Sequence, residues 1–220
     1  SSDVCSSDLP LLTSTLGTGI LIKDAIEKGA KKIILGLGGS ATNDAGMGIL
    51  AALGVQFVDE KNKLLQASGE NLSRIKKINI PSIIPAIKFE IASDVQNVLY
   101  GLQGAAYTYA PQKGANEEQV KYLDEGLKNF AALIKEETGK DVSAIPGTGA
   151  AGGIAAGLLP FFDVEMKKGI QVIIDANKIK EQITDTDLLI TGEGKIDSQS
   201  SEGKDRKSTR LNSSHRTGSR

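Results

Sequence analysis

A short apolar run followed by a glycine-rich, polar loop is the feature that most limits how this chain can fold. Residues 33–35 are Ile-Ile-Leu, and residues 36–48 directly after them read GLGGSATNDAGMG, with five glycines. The apolar run suits a buried strand, and the small residues 45–53, stopped by Gly54, suit a helix. The pattern predicts a βα unit whose loop lies at the carboxyl end of a strand, where open α/β sheets usually bind ligands.

The same alternation of strand-like and helix-like segments runs through residues 10–204 and predicts an α/β fold. The expected elements are helices at 18–28 and 116–138, strands at 32–37, 89–92 and 187–190, and a hairpin over 55–65. The long helix is the most clearly marked, because Asn116 is a favourable N-cap and Gly139 follows its last residue. Residues 170–174 fit a strand or a helix equally well.

Composition excludes several classes of function. The 26 basic and 27 acidic residues give a net charge of −1, so no strong field favours nucleic acid or an anionic membrane. Cys5 is the single cysteine, which excludes an internal disulfide, and His215, the single histidine, lies in a polar tail, which excludes Ser-His and Cys-His catalysis. We therefore expect a reduced, cytoplasmic protein with a small-molecule ligand and no nucleic-acid or membrane partner. The sequence leaves open whether the chain forms a homo-oligomer.

The glycine-rich loop has a dinucleotide-binding interpretation. Gly36, Gly38 and Ala41 match G-x-G-x-x-A, and Asp59 lies about where an acid for the ribose is expected, about 20 residues further on. Against this interpretation, polar residues 40–44 separate the strand from the helix. A phosphate-binding P-loop is excluded because no lysine follows the glycines.

The remaining interpretation of the loop is a set of backbone N–H groups and hydroxyls at a helix N-terminus, which suits an anion. The alternative is an ordinary glycine-rich turn in which Asn43 or Asp44 is the N-cap of the helix. Spacing alone does not choose between these two.

Two single residues follow or precede predicted elements and could carry chemistry. Asp94 follows the strand 89–92, where a carboxylate can act as a base or a metal ligand, although an Asx turn is the commoner role. Lys113 stands beside a glycine just before the long helix, where an ammonium can hold phosphate, although a solvated lysine is commoner.

Two further glycine clusters differ in what they predict. Residues 147–152 spell G-x-G-x-x-G, but Pro146 and a poor strand precede them, so this match is interpreted as accidental. In the second cluster, residues 191–200, Glu193 and Asp197 could hold Mg²⁺ beside phosphate oxygens, or they could be solvated acids in a turn.

Four segments in this order resemble the bacterial glycerate kinase family, which phosphorylates D-glycerate with ATP. They are GLGGSATNDAGMGILAALGVQF at 36–57, YAPQKGA at 109–115, PGTGAAGGIAAGL at 146–158 and DLLITGEGKIDSQSSEGK at 187–204. The resemblance implies a kinase of organic acids that uses ATP and Mg²⁺ and yields phosphoglycerate, with the 2-phosphate suggested by the family. A dinucleotide-binding oxidoreductase and a non-catalytic fragment are the alternatives.

The resemblance also implies a two-domain α/β architecture, with one α/β domain inserted into a Rossmann-like domain and the active site in the cleft. Residues 10–185 resemble the inserted domain and 186–204 the return into the Rossmann-like domain, which is largely missing. The arm 1–9 and the tail 205–220 resemble translated adapter sequence and are set aside from the fold. Because the cleft needs walls from both domains, we expect this chain alone to be inactive or nearly so.

Site residues follow from the resemblance together with the needs of phosphoryl transfer, which is mostly positioning and charge stabilisation. Asp94 is the preferred base, Lys113 neutralises phosphate or the glycerate carboxylate, and Asp44 is a further catalytic candidate. Substrate and phosphate are expected to bind at Gly38, Gly39, Ser40, Thr42, Asn43, Gly192 and Gly194, with Glu193 and Asp197 near the metal.

Overall fold

The computed structural model describes residues 10–184 and 186–188, which form twelve α-helices and β-strands within that part of the chain. In chain order these are α1 (Leu16–Glu27), β1 (Lys32–Gly36), α2 (Met47–Ala52), β2 (Gln56–Val58), β3 (Lys77–Asn79), β4 (Lys88–Ala92), α3 (Ala105–Tyr109), α4 (Glu117–Thr138), α5 (Ile154–Leu158), β5 (Asp163–Lys167), α6 (Gly169–Ala176) and α7 (Ile179–Gln182). Short 3₁₀ helices cover Gly69–Arg74, Pro111–Lys113 and Ala150–Gly152.

Strands β1, β4 and β5 form a parallel sheet with β4 in the middle, so the predicted α/β fold is confirmed. On one face, Phe89 and Ile91 of β4 are fully buried in the core. On the other face, Glu90 forms ion pairs with Lys32 of β1 and Lys167 of β5. Hydrogen bonds from Lys167 and Lys32 hold the pKa of Glu90 well below its usual range.

The first strand is less buried than its sequence predicts. β1 begins at the expected residue, but Ile34 is 49% exposed and burial alternates along the strand. The reason is that β1 lies at the edge of the sheet and only one of its faces packs against the core. The apolar run therefore predicted the strand correctly and its burial wrongly.

The expected hairpin over residues 55–65 forms only in part. Strand β2 pairs with β3 in a separate antiparallel sheet, while the nearer segment contributes a single bridge between Val58 and Leu64. Asp59 closes the intervening turn, because its Oδ1 accepts hydrogen bonds from the backbone N–H groups of Lys61 and Lys63. Strand β2 pairs with the more distant strand because β3 provides a continuous ladder of three residue pairs, whereas the nearer segment provides a single bridge.

The long helix α4 matches its prediction. Asn116 accepts a hydrogen bond from the N–H of Gln119, whose side chain accepts one from the N–H of Asn116, and Gly139 ends the helix in the left-handed conformation. Its buried stripe packs on the 3₁₀ helix Gly69–Arg74, and Asn129 Nδ2 donates to the carbonyls of Leu72 and Ile75. Local signals are sufficient here because cap, stripe and stop agree.

The chain divides into two units, residues 1–173 and 174–220. The described part of the second unit holds the end of α6 and the short helix α7, where Gln182 Nε2 donates to the carbonyl of Asn177. The ambiguous segment 170–174 is helical, and part of the expected strand 187–190 lies outside the described residues. Within the described part of the chain, no helix is both long enough and apolar enough to cross a membrane.

Candidate active site

The loops that follow the three parallel strands meet at one edge of the sheet. The N–H of Leu37, after β1, donates to the carbonyl of Ala92, and the N–H of Ser93, after β4, donates to that of Lys167 at 2.9 Å each. The carboxyl ends of parallel strands are where α/β proteins bind ligands. The candidate site therefore lies in and around these loops.

Asp44 is fully buried and ties two helices together. Its Oδ2 accepts hydrogen bonds from the N–H and the hydroxyl of Thr15 at 2.7 and 2.8 Å, just before α1. Its two oxygens also accept the N–H groups of Gly46 and Gly48 at 3.2 Å each, at the start of α2. Burial raises the pKa of Asp44, and the hydrogen bonds from Thr15, Gly48 and Gly46 oppose that shift.

This geometry changes the interpretation of the helix N-terminus. The sequence left open an anion-binding set of N–H groups or a turn capped by Asn43 or Asp44. The residue directly before α2 is Gly46 in the left-handed conformation, and the carboxylate of Asp44 takes the N–H groups of Gly46 and Gly48. The Asp44 carboxyl group thus satisfies these donors, which favours a structural role for Asp44; its catalytic role stays a prediction.

Lys113 is buried, with 6% of its surface exposed, and its Nζ donates to the carbonyl of Thr42 at 2.7 Å. Burial lowers the pKa of Lys113 to about 8, and the negative charge of Asp44 opposes this shift. The fold thus brings together two segments 71 residues apart. The alternative of a solvated lysine is wrong, because among the described residues Lys113 is the lysine that the fold buries.

Asn43 lies between these two charged residues in the chain and is also fully buried. Neither its Oδ1 nor its Nδ2 has a hydrogen-bond partner among the described residues. Leaving both ends of a buried amide unpaired costs free energy, so such a group needs an explanation such as a ligand role. We call Thr42, Asn43, Asp44 and Lys113 the buried polar centre.

The glycine cluster 147–157 packs directly against the buried polar centre. The N–H of Ala45 donates to the carbonyl of Gly152 at 2.9 Å. A Cβ atom on Gly152 would lie 2.1 Å from the carbonyl oxygen of Thr42, and one on Gly157 would lie 2.1 Å from that of Ala45. These glycines allow close backbone contact, which agrees with interpreting their G-x-G-x-x-G match as accidental.

The first half of the glycine-rich loop is open. Gly38 and Gly39 are exposed, a Cβ atom on either would contact nothing within 4 Å, and Gly39 has a φ of +63°. Ser40 is half-buried, with its hydroxyl 3.5 Å from that of Thr42. This part of the loop leaves its backbone free to approach a ligand.

The dinucleotide interpretation gains no support from this structure. Asp59, its expected ribose acid, closes a turn beside the small antiparallel sheet. Helix α2 begins only at Met47, beyond the G-x-G-x-x-A match.

Asp94 belongs to a different set of contacts from the buried polar centre. Its side chain is exposed, and Oδ1 accepts the N–H of Gly169 at 3.1 Å, at the start of α6. The carboxylate therefore bonds across to the loop after β5, whereas an Asx turn would bond two residues along its own loop. Exposure leaves its second oxygen accessible, which suits a base more than the burial of Asp44 does.

The sequence analysis did not single out Thr15, and several of the residues that it did single out lie outside the described part of the chain. Thr15, which holds Asp44, gives no signal in the sequence because the two are 29 residues apart. The predicted residues Gly192, Glu193, Gly194 and Asp197 lie outside the described residues. Residues 10–184 and 186–188 contain no group of three His, Cys, Asp or Glu side chains that could hold a metal, so the magnesium site stays a prediction.

Fold and site together define an α/β protein that presents glycine-rich loops and a buried lysine around the carboxyl edge of a parallel sheet. The model of the glycerate kinase family matches residues 5–209, and the chain belongs to this family. The resemblance seen in the four sequence motifs is thereby confirmed.

Known relatives agree with this assignment. The chain is 46% identical over 198 residues to a glycerate kinase of Halalkalibacterium halodurans, and 44% identical to a glycerate 2-kinase of Escherichia coli K12. Each match covers 89% of this chain and 52% of the relative, so the chain spans about half the length of these curated relatives. The crystal structure of a Salmonella typhimurium LT2 protein assigned as glycerate kinase 2 matches with a TM-score of 0.83 and 40% identity, covering 91% of this chain and 54% of that one.

Proposed function

We propose that this chain is part of a kinase that transfers the γ-phosphoryl group of ATP to D-glycerate and forms 2-phosphoglycerate. Membership of the glycerate kinase family supports the reaction, and a relative named glycerate 2-kinase supports the position of the phosphate. The structural observation that carries the proposal is the buried ammonium of Lys113 beside the glycine-rich loop. A buried cation is what a site for transferring phosphoryl charge requires.

In the proposed reaction a bond forms between a glycerate hydroxyl oxygen and the γ-phosphorus, and the bond from that phosphorus to the β,γ-bridging oxygen breaks. Asp94 accepts the hydroxyl proton, because its carboxylate is exposed and held by one backbone N–H. Lys113 stabilises negative charge on phosphate oxygens or on the glycerate carboxylate, and the unpaired amide of Asn43 offers further hydrogen bonds. The exposed backbone at Gly38 and Gly39 lets the loop approach the phosphates.

Magnesium is proposed only as the companion of ATP. The residues expected to bind it, Glu193 and Asp197, lie outside the described residues, and the described ones hold no three-residue metal cluster. Carboxylates of this kind beside phosphate oxygens suit Mg²⁺, which when bound neutralises phosphate charge.

The remaining features of the proposal concern the whole protein. We place it in the cytoplasm, consistent with its composition. We also expect this chain alone to turn over little or no glycerate, because the chain spans about half of its relatives and a kinase cleft needs walls on both sides of the substrates. Full turnover by these 220 residues would contradict this expectation.

Nucleotide binding tests the proposal against the oxidoreductase and the non-catalytic alternatives. Calorimetric titrations with ATP plus Mg²⁺ and with NAD should be run on a protein that carries this chain together with the remaining length of its relatives. We expect ATP to bind and NAD not to bind. Tight NAD binding without ATP binding would contradict the kinase proposal. Binding of neither nucleotide would favour a non-catalytic role. Phosphorus NMR of the product distinguishes 2-phosphoglycerate from 3-phosphoglycerate.

A further inference from the structure

The exposed side of helix α1 is apolar at one end. Leu16, Ile20 and Leu21 are all exposed, Leu21 to 71%, and the exposed Gly17 lies beside them. Residues three or four positions apart are neighbours on the surface of a helix, so these four residues form one continuous patch. We call Leu16, Gly17, Ile20 and Leu21 the α1 patch.

The other end of the same exposed side is ordinary solvated surface. Lys23, Asp24, Glu27 and Lys28 are exposed there, and Lys28 forms an ion pair with Asp24 at 2.7 Å. A surface helix normally presents charged and polar side chains to water along its whole length. The change from charged to apolar within one helix therefore marks the α1 patch as a contact surface.

Packing against α2 prevents α1 from turning the patch inwards. Gly19 and Ile22, on the opposite side of the helix, are buried. A Cβ atom on Gly19 would lie 2.7 Å from the Cα atom of Ile49, and one on Gly48 would lie 2.2 Å from the backbone nitrogen of Leu16. Because the two helix backbones are in such close contact, the patch can be buried only by a surface that approaches from outside the described fold.

The segments of this chain outside the described residues are poor in apolar side chains. Residues 1–9 and 189–220 contain no Phe, Tyr, Trp or Met and six aliphatic side chains larger than alanine, at positions 4, 9, 189, 190, 196 and 211. The remainder is mostly Ser, Gly and charged residues. Such a composition offers too little apolar surface for a packed contact with the α1 patch.

A second copy of this chain does not suit the patch either. Residues 16–21 cover only about 8 Å of helix length. A stable contact between separate proteins takes roughly 20–30 residues on each side. A covalently linked domain needs less, because the linkage supplies an effective concentration in the millimolar range. This chain spans about half the length of its relatives, so the linked partner is the other half.

We infer that the α1 patch is the surface on which the remaining half of the whole protein packs, through an apolar surface of its own. Just before the patch, the hydroxyl of Thr13 donates to the carbonyl of Ala41, and Thr15 holds Asp44. The patch therefore begins next to the glycine-rich loop, and the remaining half lies beside that loop once it is packed on α1. Such packing does not depend on which reaction the whole protein catalyses.

Cysteine labelling measures whether the patch is covered. Cys5 is first replaced by serine, because it is the only cysteine of this chain, and Leu21→Cys is introduced here and in a whole protein freed of its other cysteines. A thiol reagent should modify Leu21→Cys rapidly in this chain and at least about tenfold more slowly in the whole protein, where it reacts only after local opening. Equal rates in the two proteins would overturn the inference.

Two control positions show that the labelling rates report on this contact. Lys28→Cys, at the charged end of α1, should react equally fast in both proteins. Val142→Cys, at a buried position, should react slowly in both, which shows that each protein is folded. Slow labelling of Leu21→Cys already in this chain would overturn the inference, and dependence of that slow rate on protein concentration would assign the patch to a second copy.

The thermal midpoint of the whole protein gives a second measurement, which needs no comparison with this chain alone. Leu21→Gln should lower the midpoint by about 3 °C or more, because a buried apolar side chain is lost from the contact. Lys23→Gln places the same amide on the solvated part of α1 and should leave the midpoint unchanged. Equal midpoints for the two variants would contradict packing on the patch.

These outcomes are separate from those of the proposed function. A whole protein that forms phosphoglycerate while Leu21→Cys stays fully reactive contradicts the packing on α1 alone. A whole protein that binds NAD and not ATP contradicts the kinase proposal, while protection of Leu21→Cys still demonstrates the contact.

Discussion

Asp44 and Asp94 lie in two regions of the molecule. Both side chains bond to the start of a helix, but their surroundings differ. Each accepts backbone N–H groups at the start of a helix, Asp44 at α2 and Asp94 at α6. Asp44 is fully buried and its carboxyl group accepts four hydrogen bonds, whereas Asp94 is exposed and its side chain accepts one among the described residues. Two carboxyl groups that each hold the start of a helix therefore differ in role: Asp44 is a buried structural group, and Asp94 is chemically accessible.

The surroundings of the two aspartates explain the division. Around Asp44, the glycine cluster packs backbone against backbone and excludes solvent, and the buried charge of Lys113 lies nearby. Around Asp94, a pocket lined in part by Ser93, Val95 and Lys168 opens to solvent at the carboxyl edge of the sheet. A rigid, dry region positions groups, and an open one admits substrate and exchanges protons.

Gly152→Ala should have the largest effect, because it tests the packing that keeps the buried polar centre dry. The new Cβ atom would meet the Thr42 carbonyl at 2.1 Å, and the φ of +70° disfavours any side chain. We expect a loss of more than about 4 kcal/mol in the free energy of unfolding, or no folded protein. Urea denaturation measures it.

Gly17→Ala is the matched control for that glycine. Gly17 lies in α1, and a Cβ atom there would contact nothing within 4 Å. This variant should be more stable than the parent by about 0.5–1 kcal/mol, because alanine favours the helix. A loss of equal size at both glycines would show that close packing is not the cause at Gly152.

Asp44→Asn should come next in size. It removes the carboxylate that accepts four hydrogen bonds and leaves the buried Lys113 without the opposite charge beside it. We expect a loss of about 3–5 kcal/mol, because the amide nitrogen of asparagine cannot accept hydrogen bonds and each buried donor left unpaired costs roughly 1–3 kcal/mol. Thermal and urea unfolding should both detect it, and a variant as stable as the parent would remove Asp44 from its structural role.

Lys113 makes the stability of the buried polar centre depend on pH. Its pKa is about 8 in the folded protein and 10.5 when unperturbed, so between these values the unfolded state binds more protons. The contribution of Lys113 to the free energy of unfolding is therefore at its maximum above about pH 10.5, where the lysine is neutral in the folded and the unfolded protein. This contribution decreases as the pH falls to about 8. From pH 8 to 10.5 it should rise by about 3 kcal/mol.

The contribution is measured as the difference in unfolding free energy between the parent and Lys113→Met, across that pH range. Other titrating groups are common to both proteins and largely cancel. A flat difference would mean that the lysine reaches solvent in the folded protein, which would erase the contrast between the two regions.

Asp94→Asn should have the smallest effect on stability, within about 0.5 kcal/mol, because the group is exposed and asparagine also accepts the N–H of Gly169. Its effect on catalysis should be large if Asp94 is the base: kcat in the whole protein should fall by roughly 10²–10⁴ with little change in ATP affinity. Turnover at the parental rate would leave Asp94 with only its helix-capping contact.

Features that depend only on neighbouring residues could be predicted from the sequence. The cap, apolar stripe and terminal glycine of α4 all lie within one continuous segment, so its limits were predicted closely. The βα unit around residues 36–48 and the family motifs could also be identified from the sequence, because each is a continuous segment.

Which residues share an environment depends on how distant segments pack, and the sequence does not reveal it. The burial of Lys113, the capture of Asp44 by Thr15 and the pocket beside Ser93 join segments far apart in the chain. The hairpin prediction held only in part for the same reason: β2 pairs with β3, a strand more distant in the chain, and the nearer segment adds a single bridge between Val58 and Leu64. Burial and charge pairing are properties of the packed interior, where solvent exclusion sets a pKa and decides whether a carboxylate is structural or accessible, and no local pattern encodes them.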